Sequence, residues 1–336
     1  MATMKEVAQR AEVSVSTVSH VINETRFVSI DVRSRVLAVI AELDYIPSAV
    51  ARSLKHQRTR IIGMMTPNNS NPYFAEITRG IEDACFEAGF NVILCNSDDD
   101  PRKQTSYIRV LMEKQVDGLI ITPSGANEDL GDLLSSARKP LLILDREVEN
   151  IEADFVTVDH ELGGYLATNH LIELGHRHIA CIAGPSQLSP AIQRLAGYRR
   201  ALSNANLPLD PNNVVTSNFT SASGYTAMQR LLSMNPRPTA VFACNDLIAL
   251  GAICAVTNAG LSLPKDLSIV GFDDIELAAF TSPPLTTMAQ PKYQLGALAA
   301  GMLIDRIARK HEQPQRKTLR PELRIRQSTG APFRAS

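Results

Sequence analysis

From Arg60 onward the chain repeats one alternation, a short apolar run followed by a segment with helical spacing. The runs of the first series are IIGMM (61–65), NVILC (91–95), GLIIT (118–122) and LLILD (141–145). Between the first two lies an amphipathic segment that predicts a helix over about 73–88, closed by Gly89. This is βαβ rhythm, and it implies a parallel sheet with helices on both faces. A second series, HIACIAG, NVVTSNF, TAVFACN and LSIVGFD, begins after Val156 and predicts a second lobe of the same kind. With 336 residues the chain is long enough for two or three domains. Doubly wound sheets bind ligands beyond the carboxyl ends of their strands, so two such lobes have their natural site in the cleft between them.

The residues just after strand ends are therefore the candidates. The first strand is followed by Asn69-Ser70-Asn71-Pro72-Tyr73-Phe74. Asn71 offers an amide, and Tyr73 and Phe74 offer flat rings suited to the apolar face of a pyranose or a purine. An Asn-Pro turn leading into helix-core aromatics is the other reading of the same residues. Ser124 lies beyond the GLIIT run. In the second lobe Arg194 follows a loop, Phe219 follows a strand, Asn245 and Asp246 open a helix, Asp273 ends SIVGFD, and Gln290 lies in LTTMAQPK. Arg, Asn, Asp and Gln converging between aromatic plates is how a site grips a polyhydroxylated ring, because each hydroxyl both gives and accepts a hydrogen bond.

The first sixty residues have a different character. Met4, Val7, Ala8 and Ala11 fall at helical spacing on one stripe. Ser14 is a natural N-cap for a second helix, with Val13 and Val18 spaced as a hydrophobic staple. At 100° per residue Val18, Val21 and Ile22 share one side of that helix, and Ser16, Ser19, His20 and Asn23 share the other. Ser29 predicts the N-cap of a third helix carrying Val32, Val36, Val39, Ile40 and Leu43 on one face, with Asp31 near its positive end. Two short helices joined by a tight turn and backed by a third form a DNA-reading head; a generic three-helix bundle with a solvated face is the plainer reading. Charge favours the head: residues 1–60 carry nine Lys/Arg against six Asp/Glu, while the remainder is net acidic within a whole-chain charge of −1. That excess is modest, so binding calls for two heads acting together.

Composition excludes other classes. There is no long apolar run and no basic segment leading into one, so neither a membrane span nor a signal peptide is expected, and the protein is expected to stay in the cytoplasm. Five widely spaced cysteines without a C-x-x-C pair point to buried free thiols. His176 and His178 form an H-x-H beside Gly175, where histidine suits a helix C-terminus, and no metal is expected. No G-x-S-x-G, H-E-x-x-H or G-x-x-x-x-G-K-[ST] occurs, so neither enzymatic activity nor a cofactor is expected.

Ala8, Ala11, Val13, Ser14, Thr17, Val18, Ser19, Val21, Ile22 and Asn23 meet the pattern A-x-x-A-x-V-S-x-x-T-V-S-x-V-[IL]-N, which resembles the head of the lactose/galactose repressor family. The chain continues as that family does, through YIPSAVARSLK and then a two-lobed body, so the resemblance covers nearly all of it. It implies an all-α helix-turn-helix head over 1–45, a hinge helix and linker over 46–59, and an effector-binding and dimerisation region over 60–336. The body would be α/β, two doubly wound parallel-sheet lobes of periplasmic-sugar-binding-protein type. One lobe would comprise 60–160 plus 291–322 and the other 161–290 plus 323–331.

The resemblance assigns DNA contacts to Thr3, Ser14, Val15, Ser16, Thr17, Ser19, His20, Asn23 and Arg26, and to Ser48, Ala51, Leu54 and Lys55 of the hinge. Val15 would meet a thymine methyl, Ser16 and His20 would bond base edges, and Leu54 would wedge into a kinked minor groove with Lys55 near phosphate. Packing is the rival role for Val15 and for Leu54. A hinge helix of about two turns is marginal alone and should order only against a partner. The tail TGAPFRAS lacks a leucine heptad, so a homodimer on a palindromic operator is expected.

Effector contacts fall on Asn71, Tyr73, Phe74, Ser124, Arg194, Phe219, Asn245, Asp273 and Gln290. The N-P-Y-F stretch looks like the N-P-F-F of ribose-binding proteins, and Asn245-Asp246 looks like their N-D pair. Purine-responsive members carry arginine where Leu188 stands and lack that asparagine. Ribose or a related sugar is therefore placed before a purine base, with release from DNA implied for the first and corepression for the second. A sugar-binding protein without a DNA role, and a sugar-processing enzyme using Asp273 and Asp246 as acid and base, are the rival classes.

Overall fold

The computed structural model describes residues 2–45, 58–125, 130–148, 151–311 and 313–333. It divides into two compact units, Met1–Thr59 and Arg60–Ser336. The hinge candidates Ser48, Ala51, Leu54 and Lys55 lie outside the described residues.

The first unit holds α1 (Met4–Arg10), α2 (Val15–Asn23) and α3 (Ile30–Glu42). Thr3 and Glu6 close a capping box on α1: Glu6 N donates to Thr3 Oγ1 at 3.2 Å, and Thr3 N donates to Glu6 Oε2 at 2.7 Å. Ser14 caps α2, its Oγ accepting from Thr17 N at 3.1 Å. Val7, Ala8, Ala11, Val18, Val21, Val36, Val39 and Tyr45 form one small core, with Met4, Val13, Ile22, Val32, Ile40 and Leu43 packed around it. Each fully buried valine there contributes about 1.5–3 kcal/mol. Ser29 does stand at the N-cap position of α3, but its side chain makes no capping bond, so that helix begins on backbone geometry and Asp31 alone.

In the second unit two six-stranded sheets are present. The first has the order β11-β5-β4-β3-β1-β2 and is built from β1 (Ile61–Thr66), β2 (Asn91–Asn96), β3 (Gly118–Ile121), β4 (Leu141–Leu144), β5 (Asp154–Val158) and β11 (Arg316–Leu319). The second has the order β12-β10-β9-β8-β6-β7 and is built from β6 (Ile179–Ala183), β7 (Val214–Thr216), β8 (Ala240–Ala243), β9 (Ser268–Asp273), β10 (Thr286–Ala289) and β12 (Glu322–Arg324). All neighbours are parallel except β12, which runs antiparallel to β10. The central strands are buried along their whole length, which is why they read as unbroken apolar runs.

The helices are α4 (Pro72–Glu87), α5 (Pro101–Glu113), α6 (Leu130–Ser136), α7 (His160–Glu173), α8 (Ser189–Asn204), α9 (Ser221–Leu232), α10 (Asp246–Asn258) and α11 (Lys292–Ile307). The chain passes between lobes three times. It leaves β5 for α7, which packs under β8, β9 and β10 of the second sheet; it leaves β10 for α11, which returns to β3, β4 and β5 of the first; and β11 is followed at once by β12. One close approach matters for the site. A Cβ on Gly197 of α8 would lie 2.1 Å from the Glu161 carbonyl of α7, so glycine lets these helices touch backbone to backbone and fixes where α8 carries Arg194.

Candidate functional site

Between the two sheets lies a cleft with a cavity of about 50 Å³, partly open to solvent. Asn68, Asn71, Tyr73, Phe74, Asp99, Asp145 and Arg146 line it from the first lobe, and Pro190, Arg194, Asn218, Phe219, Asn245 and Asp273 from the second. Seven residues read from the sequence, Asn71, Tyr73, Phe74, Arg194, Phe219, Asn245 and Asp273, thus meet in one place.

Two of them serve helix and cleft together. Asn71 caps α4, accepting from Tyr73 N at 3.0 Å, and Asn245 caps α10, accepting from Ile248 N at 2.8 Å. Each cap occupies the amide oxygen and keeps the side chain at a helix N-terminus facing the cleft. Tyr73 and Phe74 pack edge to face at 4.9 Å, and both are buried. The Phe219 ring lies over Gly184, where a Cβ would come within 2.2 Å of its Cζ. Backbone strain gathers here too: Asp145 at φ 65°, Phe219 at φ 58° and Asp273 at φ 115° all occupy the region that favours glycine.

The polar groups form a buried chain. Asp145 Oδ1 accepts from His160 Nε2 at 2.8 Å, and His160 Nδ1 accepts from Arg194 Nε at 3.3 Å. Arg194 donates through Nη1 to the Cys244 carbonyl at 2.5 Å, lies 3.4 Å from Asp273 Oδ1, and stacks 3.8 Å above the Phe272 ring. Gln290 donates to Asp273 Oδ1 at 2.7 Å and accepts from the Tyr73 hydroxyl at 3.2 Å. Arg146 is held by the Pro123 carbonyl at 2.8 Å and by an ion pair with Asp99.

Burial dominates the electrostatics. It lifts the Asp273 carboxyl to about 6, although Arg194, Lys292 and Gln290 pull it down. It lowers His160, which the neighbouring Arg194 also disfavours as a cation, so the imidazole is neutral. For Asp145 burial is outweighed by His160, Arg194 and Arg146, and the carboxylate stays ionised. Burial and the charge of Asp145 raise the Tyr73 phenol, which is a hydrogen-bond donor at any ordinary pH.

Three readings from sequence are corrected. Ser124 does not line the cleft; it is fully buried, its N donating to Gln104 Oε1 at 2.7 Å and its Oγ lying 2.6 Å from Ser97 Oγ, because the chain turns down into the first lobe after β3. Gln290 stands behind the wall, bracing Asp273 and Tyr73. Asp246 is not poised for acid-base work: it is fully buried, accepting from Thr287 Oγ1 at 2.6 Å and Ile275 N at 2.9 Å. His176 likewise bonds Thr239, Ser268 and the Gly330 carbonyl, and His178 bonds Asn213. Among the described residues no group of His, Cys, Asp or Glu is placed to hold a metal.

Sequence reading missed Asp99, Asp145, Arg146, Asn218 and His160. Asp145 and Arg146 stand directly beyond the LLIL strand, the position the strand-end rule singles out, and Asn218 directly precedes Phe219. His160 gave no signal, since its partners are 15 and 34 positions away.

In the first unit Val15 is 45 % exposed and takes no part in the core, so packing does not account for it. With Ser16, Ser19, His20 and Asn23 it covers one arc of α2. His20 Nδ1 bonds Thr25 Oγ1 at 2.7 Å, and Asn23 Nδ2 donates to the Ser19 carbonyl at 2.8 Å. Thr3, Ser14 and Thr17 are engaged in capping, and Arg26 is exposed without an ion pair among the described residues.

Both units match known families: residues 3–48 match the bacterial regulatory proteins of the lacI family, and residues 168–329 match a periplasmic binding protein-like domain. An HTH-type transcriptional repressor PurR of Aliivibrio fischeri is 44 % identical over 331 residues, 98 % of each chain. A ribose operon repressor of Haemophilus influenzae is 44 % identical over 328 residues, again 98 % of each. The lac repressor dimer bound to operator and the anti-inducer ONPF superposes with a TM-score of 0.89 at 30 % identity, covering 98 % of this chain and 99 % of that one. The chain belongs to the lacI family of bacterial regulatory proteins. No helix among the described residues is long and apolar enough to cross a membrane.

Proposed function

We propose that the protein is a ligand-responsive transcriptional repressor that binds a palindromic operator as a homodimer and is released from it by ribose. The observation that carries the effector is the alternation of acceptors and donors around the cleft, Asp145, Arg194 and Asp273 with the amides of Asn71 and Asn245, between the rings of Phe74 and Phe219. A sugar's hydroxyls match that alternation and its C–H face matches the rings. Three carboxylates, Asp99, Asp145 and Asp273, face two guanidinium groups, Arg146 and Arg194, which disfavours a phosphorylated ligand. The second reading, a purine base acting as corepressor, is favoured by the PurR relatives and by the Tyr73-Phe74 pair. Leu188 stands against it, a buried apolar side chain with no donor for a base edge.

On the DNA side the exposed arc of α2 would enter the major groove, Val15 against a thymine methyl and Ser16 and His20 against base edges. Ser48, Ala51, Leu54 and Lys55 would form the hinge contact with the minor groove. A second copy is supported by apolar side chains left exposed on the edge strand β2 and the helices packed on it: Leu94, Phe86, Tyr107 and Val110.

A mobility-shift titration on the DNA upstream of neighbouring genes tests the reading, with and without ribose, hypoxanthine and guanine. Ribose is expected to dissolve the complex. Strengthening by a purine base would reverse the choice of effector, and no response to any of the three, together with no heat in calorimetry, would end both readings.

A further inference from the structure

Asp145 and Arg194 come from opposite lobes, carry opposite charge, and sit in one buried cleft. Left to themselves they would close into a direct ion pair, because a buried carboxylate and guanidinium gain most by bonding each other. They do not, because the His160 ring stands between them. His160 is the first residue of α7, directly after the chain crosses from the first sheet to the second. Its ring is 1 % exposed and both nitrogens are used, Nε2 toward Asp145 and Nδ1 toward Arg194. That pattern fixes a neutral imidazole protonated on Nε2, the tautomer that donates to the carboxylate and accepts from the guanidinium.

Resting on the reading of this cleft as the effector site, we propose that His160 is a positioning residue for the effector: it spaces Asp145 from Arg194 so that both remain available to one polyhydroxylated ligand. The carboxylate then offers a lone pair to one hydroxyl, and Arg194, pinned by the Cys244 carbonyl and the Phe272 ring, offers an N–H to another. Without the spacer the two charges satisfy each other and the cleft closes on itself. A ligand must then break an ion pair before it can bind.

Glutamine reproduces both functions of the ring, an amide N–H to reach Asp145 and an amide oxygen to accept from Arg194. Asparagine is too short to reach both. The test is calorimetric titration of D-ribose into the full-length wild type, His160→Gln, His160→Asn and His160→Ala, with the ligand-free thermal midpoint of each. His160→Gln is expected to bind within about threefold of wild type, and His160→Asn and His160→Ala at least about tenfold more weakly, the loss expected for one charge-assisted bond. Because an ion pair replaces the spacer, the ligand-free midpoint of His160→Asn is expected to match that of His160→Gln. A merely structural histidine would instead lose midpoint and affinity together. Equal affinity in His160→Asn and wild type, or failure of glutamine to rescue, overturns the inference while leaving the effector site intact. A wild type that binds neither ribose nor a purine base overturns the proposed function itself.

Discussion

Replacing Asp273 with asparagine separates the part this carboxylate plays in stability from the part it plays in the cleft. Burial raises its pKa from 3.8 to about 6 against the pull of Arg194, Lys292 and Gln290. A carboxyl that holds its proton more tightly when folded than when unfolded favours folding at low pH, and that advantage is lost as pH rises through the interval between the two values. At pH 7 the ionised group opposes folding by about 3 kcal/mol; at pH 5, where most native molecules carry the proton, by about 1.5 kcal/mol. Asparagine keeps an oxygen for Gln290 Nε2 and removes the charge. Ligand-free Asp273→Asn is therefore expected to be more stable than wild type at pH 7 by up to about 3 kcal/mol, the gain shrinking by about 1.5 kcal/mol at pH 5. Effector affinity moves the other way, falling about tenfold or more, because an amide oxygen is a weaker acceptor than a carboxylate. Urea denaturation of the effector-binding unit in the full chain at pH 5, 6 and 7, paired with calorimetry at pH 7, measures both. A stability gap that is constant with pH, or that widens as pH falls, refutes the assignment of the strain to a desolvated Asp273.

Gly197→Val would force the valine side chain into the Glu161 carbonyl and push α8 away from α7; a loss of about 2–3 kcal/mol in stability is expected, with weaker effector binding because Arg194 moves with the helix. Unchanged calorimetric affinity would show that Arg194 is placed by something else. Thr3→Ala removes the capping box from α1 and should lower the stability of the first unit by about 1 kcal/mol, seen as an earlier thermal transition with effector binding untouched. His20→Ala is expected to weaken operator binding about tenfold or more in a mobility shift and to leave the effector dissociation constant alone. Operator affinity equal to wild type would remove His20 from the DNA-reading face.

Most strands that were legible in the sequence are buried on both faces, though the edge strands β2 (NVILC) and β7 (within NVVTSNF) could be read from their apolar residues as well. IIGMM, GLIIT, LLILD and the TAVFAC run announce themselves because nothing in their surroundings tolerates a polar side chain. The other two edge strands were not: β11 reads RKTL and β12 reads ELR, half solvated and short, and only pairing with β5 and β10 makes them strands. The same physics divides the site. Asn71, Asn245 and Asp273 could be read because they stand where strands end and helices begin, positions that local sequence marks. Asp145 and Arg146 stand at such a place too, but LLIL draws attention to its apolar residues and away from the pair that follows. Ser124 went the other way, a polar residue beyond a strand that turns inward to Ser97 and Gln104. Which way a side chain turns after a strand is decided by the neighbouring loop, and local periodicity holds no record of it.

Several of the bonds that join the lobes lie at the chain crossings, with a further one from Glu147 N to Ser189 Oγ at 3.1 Å away from them, and this placement couples cleft to lobe orientation. His160 begins α7 immediately after one crossing, and Gln290 immediately precedes another. Lys292, just beyond it, donates to the carbonyls of Asp273 and Asp274 at 2.8 and 2.7 Å. Rotation of one lobe against the other acts on Asp145···His160 and Tyr73···Gln290, since each pair has one member in either lobe. A ligand that bonds Asp145 and Arg194 at once adds cross-lobe bonds to the same set, and so favours whichever orientation keeps them short. The shift it can impose is bounded by its difference in affinity for the two orientations: a hundredfold preference corresponds to about 2.7 kcal/mol, roughly what two such bonds supply. An effector that engaged only one lobe would bind without moving the other, however tightly it bound.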